Sequence, residues 1–384
     1  FNKETPIIMH NFKSKGPLKR VEAIGFTNII LTDDKVTDIC NFNLTSFIEK
    51  EYSMDDAVYC IKGEDYFVVH ANDNSIKFSE ENINSVIDFK KNIDFDRTVF
   101  LSQTNNASCF PLAYPQFNEN VESFLKDKVI KTISVAGENI IRCGIKNFIS
   151  YAGFASAFVK DNESLLTKAV FPTPEKILNW LPDLFTFEVT SQGEEKIQLL
   201  NMLPGDVFNF RDVEKAFWNE HVDPDVIKQQ TINYYKRFRE IETCASYRKI
   251  SKKNSKINIR LELQQYLTGA NKFIVGHIEK TGFGKTALGK KLRIDVGDVS
   301  EVVEIGFGLT SDALNYNKRI DITKAVFERL INKDMMFEDL YVGGAVKFYR
   351  QPKEVFNHDL IRYMQMYGYV YRRGESYFSK YIDV

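Results

Sequence analysis

Apolar residues in this chain come in short runs, and that restricts the fold more than any other feature. The stretches 28–32 (NIILT), 273–278 (FIVGHI) and 302–308 (VVEIGFG) are strand-sized. None approaches the ~20 apolar residues that cross a bilayer, so a membrane span is not expected. Such a chain must build its core by stacking many short elements in layers. With 384 residues it has the length for two or three domains. A composition of 43% hydrophobic and 27% charged residues is that of an ordinary globular protein rather than a disordered one.

The patterning predicts an α+β fold. Residues 56–78 give two alternating runs with turns at 62–65 and 71–74, and 21–32 is a further strand candidate. Short helices are expected over 44–52 and 80–92, then a helix over 118–126 and strands over 129–135 and 140–149. Pro172 and Pro174 break the chain before a helix at 175–181, and 185–190 with 196–202 read as a hairpin about Ser191-Gln192-Gly193. From 213 to 250 apolar residues recur at threes and fours, as on one face of a helix. At 256–263 (KINIRLEL) the pattern turns to strict alternation, Ile257, Ile259, Leu261 and Leu263 against Asn258, Arg260 and Glu262, which reads as a strand. Strands over 273–278, 292–296 and 299–307 follow, then helices over 322–331, 337–349 and 359–367. The expected organisation is a β-rich N-terminal part (1–165), a mixed and helical middle (166–250) and a basic β-region with a helical C-terminal cap (251–384).

Charge is distributed unevenly. The whole chain sums to −1, yet residues 245–293 hold 12 Lys and Arg against only Glu262 and Glu279. Arg248, Lys252 and Lys253 precede the expected strands, and Lys280, Lys285, Lys290, Lys291 and Arg293 follow along EKTGFGKTALGKKLR. Gly282, Gly284 and Gly289 space this second group. Small residues permit close approach to a phosphate backbone and lysines neutralise it, so these eight cations are the expected nucleic-acid contacts. The competing partner is an acidic protein surface, in a homo- or hetero-oligomer, because the rest of the chain is acidic.

Other chemistry finds little support. Cys40, Cys60, Cys109, Cys143 and Cys244 include no CxxC pair, and the five histidines lack ligand-like spacing, so no metal or other cofactor is expected. The N-terminal residues lack the basic-then-apolar order of a secretory signal, which points to an intracellular or virion protein. A bias of 36 Lys to 15 Arg, with 31 Phe and many Asn and Ile, suggests an AT-rich, plausibly viral or phage, genome.

Three motifs resemble known families. Gly284-Lys285-Thr286 resembles the end of a phosphate-binding P-loop, but Glu279 stands where that pattern needs glycine. Pro182-Asp183 followed by Glu194-Glu195-Lys196 resembles the PD-(D/E)XK nuclease signature, which would make Asp183 and Glu194 Mg²⁺ ligands and Lys196 the residue assisting the attacking water. At the C-terminus, the helix at 359–367, Gly368 as its cap, and strands at 369–372 and 377–381 resemble the last helix and wing of a winged-helix domain. That resemblance implies DNA contacts for Arg362, Arg372 and Arg373. The leading expectation is a non-enzymatic, nucleic-acid-contacting component of a larger assembly. Behind it stand a structural or assembly protein docking on acidic subunit surface, and a Mg²⁺-dependent nuclease.

Overall fold

A computed structural model describes residues 2–12, 15–49, 56–72, 76–104, 111, 113–117, 120–151, 172–186, 196–203, 205–216, 226, 229, 233, 237, 257–282, 284–312, 314–342, 345–353, 355 and 358–374. The chain is α+β and divides into two compact units. Unit 1 is 1–106, 123–155 and 170–229, and unit 2 is 107–122, 156–169 and 230–384. Among the described residues no helix is long and apolar enough to cross a membrane.

Unit 1 begins with a parallel pair, β1 (Ile7–His10) and β2 (Ile29–Thr32), joined through α1 (Gly16–Ala23). A mixed sheet follows: β3 (Thr37–Ile39), β4 (Phe42–Phe47), β5 (Val58–Lys62), β6 (Phe67–His70), β7 (Thr98–Gln103), β8 (Asn147–Tyr151), β9 (Phe185–Thr186) and β10 (Ile197–Leu199), in the order β3-β4-β5-β6-β7-β8-β10-β9. The first four strands form an antiparallel meander, and every pairing from β6 onward is parallel. Parallel neighbours need crossovers, supplied by α2 (Glu80–Lys90) and α3 (Val121–Cys143), with α4 (Pro174–Trp180) before β9. Their apolar faces (Ile83 and Val86; Val129, Ile133 and Ile140; Ile177) pack on Val58, Cys60, Phe67, Val69, Phe100 and Phe148, leaving the opposite sheet face free of these helices. Local signals start the helices: Ser79 accepts from Asn82 N at 3.3 Å, and Thr173 caps α4 ahead of Pro174. A short antiparallel pair, β11 (Val207–Phe208) and β12 (Val213–Glu214), completes the unit.

Unit 2 is a five-stranded sheet with helices on one side. Its elements are α5 (Ile259–Thr281), β13 (Lys291–Val296), β14 (Val299–Glu304), β15 (Gly308–Thr310), β16 (Lys318–Ile322), α6 (Lys324–Ile331), α7 (Phe337–Val342), β17 (Val346–Arg350) and α8 (His358–Arg373). The strand order is β15-β14-β13-β16-β17, and only β13 and β16 run parallel. Leu263, Leu267, Ile274, Phe327, Leu360 and Met364 from the helices meet Leu292, Ile294, Val303, Ile320 and Phe348 from the strands in one core. Residues 113–116 run along β17: Phe348 N donates to Ala113 O at 2.7 Å, and Arg350 N to Gln116 Oε1 at 2.8 Å.

Several sequence expectations are corrected. The alternating stretch 256–263 and the apolar run 273–278 are not strands; from Ile259 both belong to α5, which Asn258 caps by accepting from Leu261 N at 3.2 Å. Residues 369–372 are not the first strand of a wing but the last turn of α8, which runs through Gly368 to Arg373. A Cβ on Gly368 would lie 3.0 Å from Phe337 N, so this glycine serves close packing; the left-handed residue that ends the helix is Gly374, at φ +89°. Residues 44–47 are strand rather than helix, 129–135 and 140–143 are α3 rather than strands, 16–23 are helical, and 346–349 are strand. β9 and β10 pair parallel, not as a hairpin. The helical stretch expected over 213–250 opens instead on strand β12 at Val213–Glu214; most of its remainder, and the expected strand at 377–381, lie outside the described residues.

Candidate functional site

The basic group of residues 280–293 folds as helix end, turn and strand. Gly282, in left-handed conformation at φ +70°, closes α5, and Gly284, at φ +69°, opens a single 3-10 turn at Lys285–Ala287. The Tyr363 hydroxyl occupies the space a Cβ on Gly284 would take, so α8 packs directly against this turn. Lys290 Nζ donates to Asp359 Oδ2 at 2.8 Å and Thr286 Oγ1 to the same oxygen at 2.9 Å. Burial opposes ionisation of Asp359, but these two hydrogen bonds outweigh it and hold its carboxyl below the usual carboxylate range.

Three of the five central cations are therefore already engaged. Besides Lys290 with Asp359, Lys291 Nζ pairs with Asp312 at 2.8 Å, and Arg293 Nε with Asp295 at 2.7 Å. The Lys291 hydrogen bond holds Asp312 below the usual carboxylate range. Lys280 and Lys285 are exposed and form no ion pair among the described residues. Arg248, Lys252, Lys253 and Glu194 lie outside the described residues. Arg372, in the last turn of α8, stands 4.0 Å from Asp339, and Arg373 is helical beside it. Asp183 is exposed just before β9, and Lys196 Nζ donates to the Pro182 carbonyl at 3.1 Å.

Sequence reading missed a polar cluster in unit 1. Cross-strand register places Ser46, Tyr59 and His70 side by side on the sheet face opposite the helices, at the carboxyl end of β6. Ser46 Oγ bonds His10 Nδ1 at 2.8 Å and Thr32 Oγ1 at 2.7 Å, and His10 N donates to the Tyr59 hydroxyl at 2.9 Å. The His70 ring stacks on Tyr151 from the end of β8, centroids 5.5 Å apart. Tyr151 OH reaches Asn72 Oδ1 at 3.4 Å, and Asn72 Nδ2 donates to Asp56 Oδ1 at 2.7 Å. Asn72 holds this position in left-handed conformation, φ +50°, which asparagine tolerates. The usable signal was the strand–helix rhythm of 67–151, which brings the ends of parallel strands together, where open sheets bind ligands.

Burial pushes both His10 and His70 below the ordinary imidazole value of 6.5, against an upward pull from Asp33 and Asp34 on the first and Asp56 on the second. The folded chain then binds protons less readily than the unfolded one. The stability these rings contribute is complete above pH 6.5 and is lost as pH falls toward their folded values. The urea midpoint is expected to drop between pH 7 and pH 5, and less so in His70→Gln; an unchanged midpoint would mean that neither ring is desolvated. Among the described residues no three His, Cys, Asp or Glu side chains gather as a metal site. Cys60 and Cys143 are buried, with burial pushing Cys143 up to about 12, so both are poor nucleophiles, while Cys40 is exposed. No protein-family model matches the sequence, and no curated protein is significantly similar to it.

Proposed function

We propose that the chain is a non-enzymatic component of a larger assembly that contacts nucleic acid through unit 2. The observation that supports this reading is the segregation of charge between the units. Unit 2 holds 29 Lys and Arg against 22 Asp and Glu, while unit 1 holds 22 against 30. A surplus of seven positive charges on one folded unit of a near-neutral protein is the footprint of a polyanion partner. Lys280 and Lys285 are the assigned contacts that lie among the described residues, and Arg248, Lys252 and Lys253 flank them in sequence. Lys290, Lys291 and Arg293 are assigned instead to holding the turn and strand that present them, since each would have to release a carboxylate to reach a phosphate.

Lys280→Glu/Lys285→Glu is expected to abolish retention of the folded protein on an immobilised polynucleotide. Undiminished retention would overturn the reading. If the same change left retention intact but shifted the oligomer peak in light scattering, the basic unit would instead dock on acidic protein surface, and unit 1 of a second copy carries the charge for that. A second reading rests on the His70–Tyr151–Asn72–Asp56 cluster. A half-buried imidazole kept neutral at the carboxyl ends of parallel strands suits a proton acceptor for a small molecule.

A further inference from the structure

The face of the unit 2 sheet turned away from α5 carries a repeated tripeptide. Arg293-Ile294-Asp295 on β13 and Arg319-Ile320-Asp321 on β16 lie level, arginine beside arginine and aspartate beside aspartate. The isoleucines enter the core and the charges interlock on the other face. Asp295 accepts from Arg293 at 2.7 Å and forms an ion pair with Arg319 Nε at 2.8 Å, and Asp321 takes two bonds from Arg319 at 2.7 and 2.8 Å. These two cations and two anions cancel and fix one another's geometry.

Where β13 and β16 end, a cavity of about 380 Å³ opens over this floor, lined by Asp295, Arg319, Asp321, Thr323, Lys324 and Lys347. Lys324 and Lys347 are exposed and form no ion pair among the described residues, so the lining, with three cations against Asp295 and Asp321, keeps a surplus of one positive charge. The volume lies in the range of small-ligand sites, and the carboxyl end of a parallel strand pair is where open sheets receive ligands.

We propose that this cavity binds a phosphorylated small molecule of nucleotide size. Lys324 and Lys347 hold the phosphate, and Asp321, locked by Arg319, offers its remaining lone pairs to sugar hydroxyls. The inference uses none of the residues assigned to the polynucleotide and stands or falls separately. Titration calorimetry with adenosine monophosphate, adenosine and inorganic phosphate tests it on the full chain. The expected result is saturable monophosphate binding, no binding of adenosine, and affinity at least tenfold lower in Lys324→Gln/Lys347→Gln at unchanged melting temperature. Lys280→Glu/Lys285→Glu should bind the monophosphate as the wild type does. No saturable binding up to millimolar monophosphate, or equal affinity in Lys324→Gln/Lys347→Gln, overturns the proposal. Inorganic phosphate binding as tightly as the nucleotide would also overturn it, by reducing the site to an anion seat.

Discussion

Leu263→Ala is expected to lower the unfolding free energy by about 2–5 kcal/mol, while Leu261→Ala, two residues away, changes it by no more than about 0.5 kcal/mol. In a strand the two leucines would share one face and one fate. In α5 they do not: Leu263 is fully buried in the unit 2 core, and Leu261 is 48% exposed. The buried positions, Ile259, Leu263, Tyr266, Leu267, Ala270, Ile274, His277 and Ile278, step by threes and fours along one side of the helix. Truncating Leu263 leaves a void under β14, against which α5 packs, and a close-packed core collapses only partly around such a void. Urea unfolding of the two variants checks this, and comparable losses in both would contradict the helix.

Tyr114→Ala is expected to cost about 3–5 kcal/mol, the range for removing a buried aromatic. Its ring stacks on Phe348 at 5.3 Å and lies 4.8 Å from the Nζ of Lys318, a lysine with no exposed surface. The hydroxyl accepts from the same Nζ at 3.2 Å. The cross-strand neighbour of Lys318 is Arg350, itself buried, whose guanidinium lies 5.5 Å from the Tyr114 ring. One aromatic ring thus sits beside two adjacent cations in a place where burial makes charge costly. Tyr114→Phe keeps the ring and loses the hydrogen bond to Lys318, so about 1–3 kcal/mol is expected. Thermal or urea unfolding ranks the pair, and equal effects of Ala and Phe would remove the cation–ring contact from the account.

Much of the secondary structure was legible where local chemistry and burial agree. The alternating runs at 58–62 and 67–70 are β5 and β6, the helix expected over 80–92 is α2, the one expected after Pro172 and Pro174 is α4, and 324–331 is an amphipathic helix. It was illegible where a short pattern fits two periods. Ile257, Ile259, Leu261 and Leu263 alternate, but only Ile259 and Leu263 lie in the buried stripe, and that stripe becomes evident only when followed to Ile278. Gly368 has the sequence context of a cap, yet its reason for being glycine is Phe337, a residue 31 positions earlier. The direction of β10 beside β9 depends on the path of the chain between them, which side-chain pattern does not encode.

The candidate sites divide in the same way. The basic surplus was readable because charge adds along a sequence. Its partial cancellation was not, because Asp312 and Asp359 lie 21 and 69 residues from their lysines. The level pairing of Arg293-Ile294-Asp295 with Arg319-Ile320-Asp321 is a repeat of three residues, too brief to notice until parallel strands set it in register. The His70 cluster draws on six separate stretches of chain between His10 and Tyr151.

The salt dependence of duplex binding, followed by fluorescence anisotropy, tests the polyanion assignment most directly. Each phosphate contact contributes about −0.9 to the slope of log K against log salt. Lys280→Gln/Lys285→Gln should therefore make the slope shallower by about 2, whereas Lys290→Gln/Lys291→Gln should lower stability and leave the slope as it is. A wild-type protein with no salt-dependent binding, or a slope that Lys280→Gln/Lys285→Gln does not alter, would contradict the assignment.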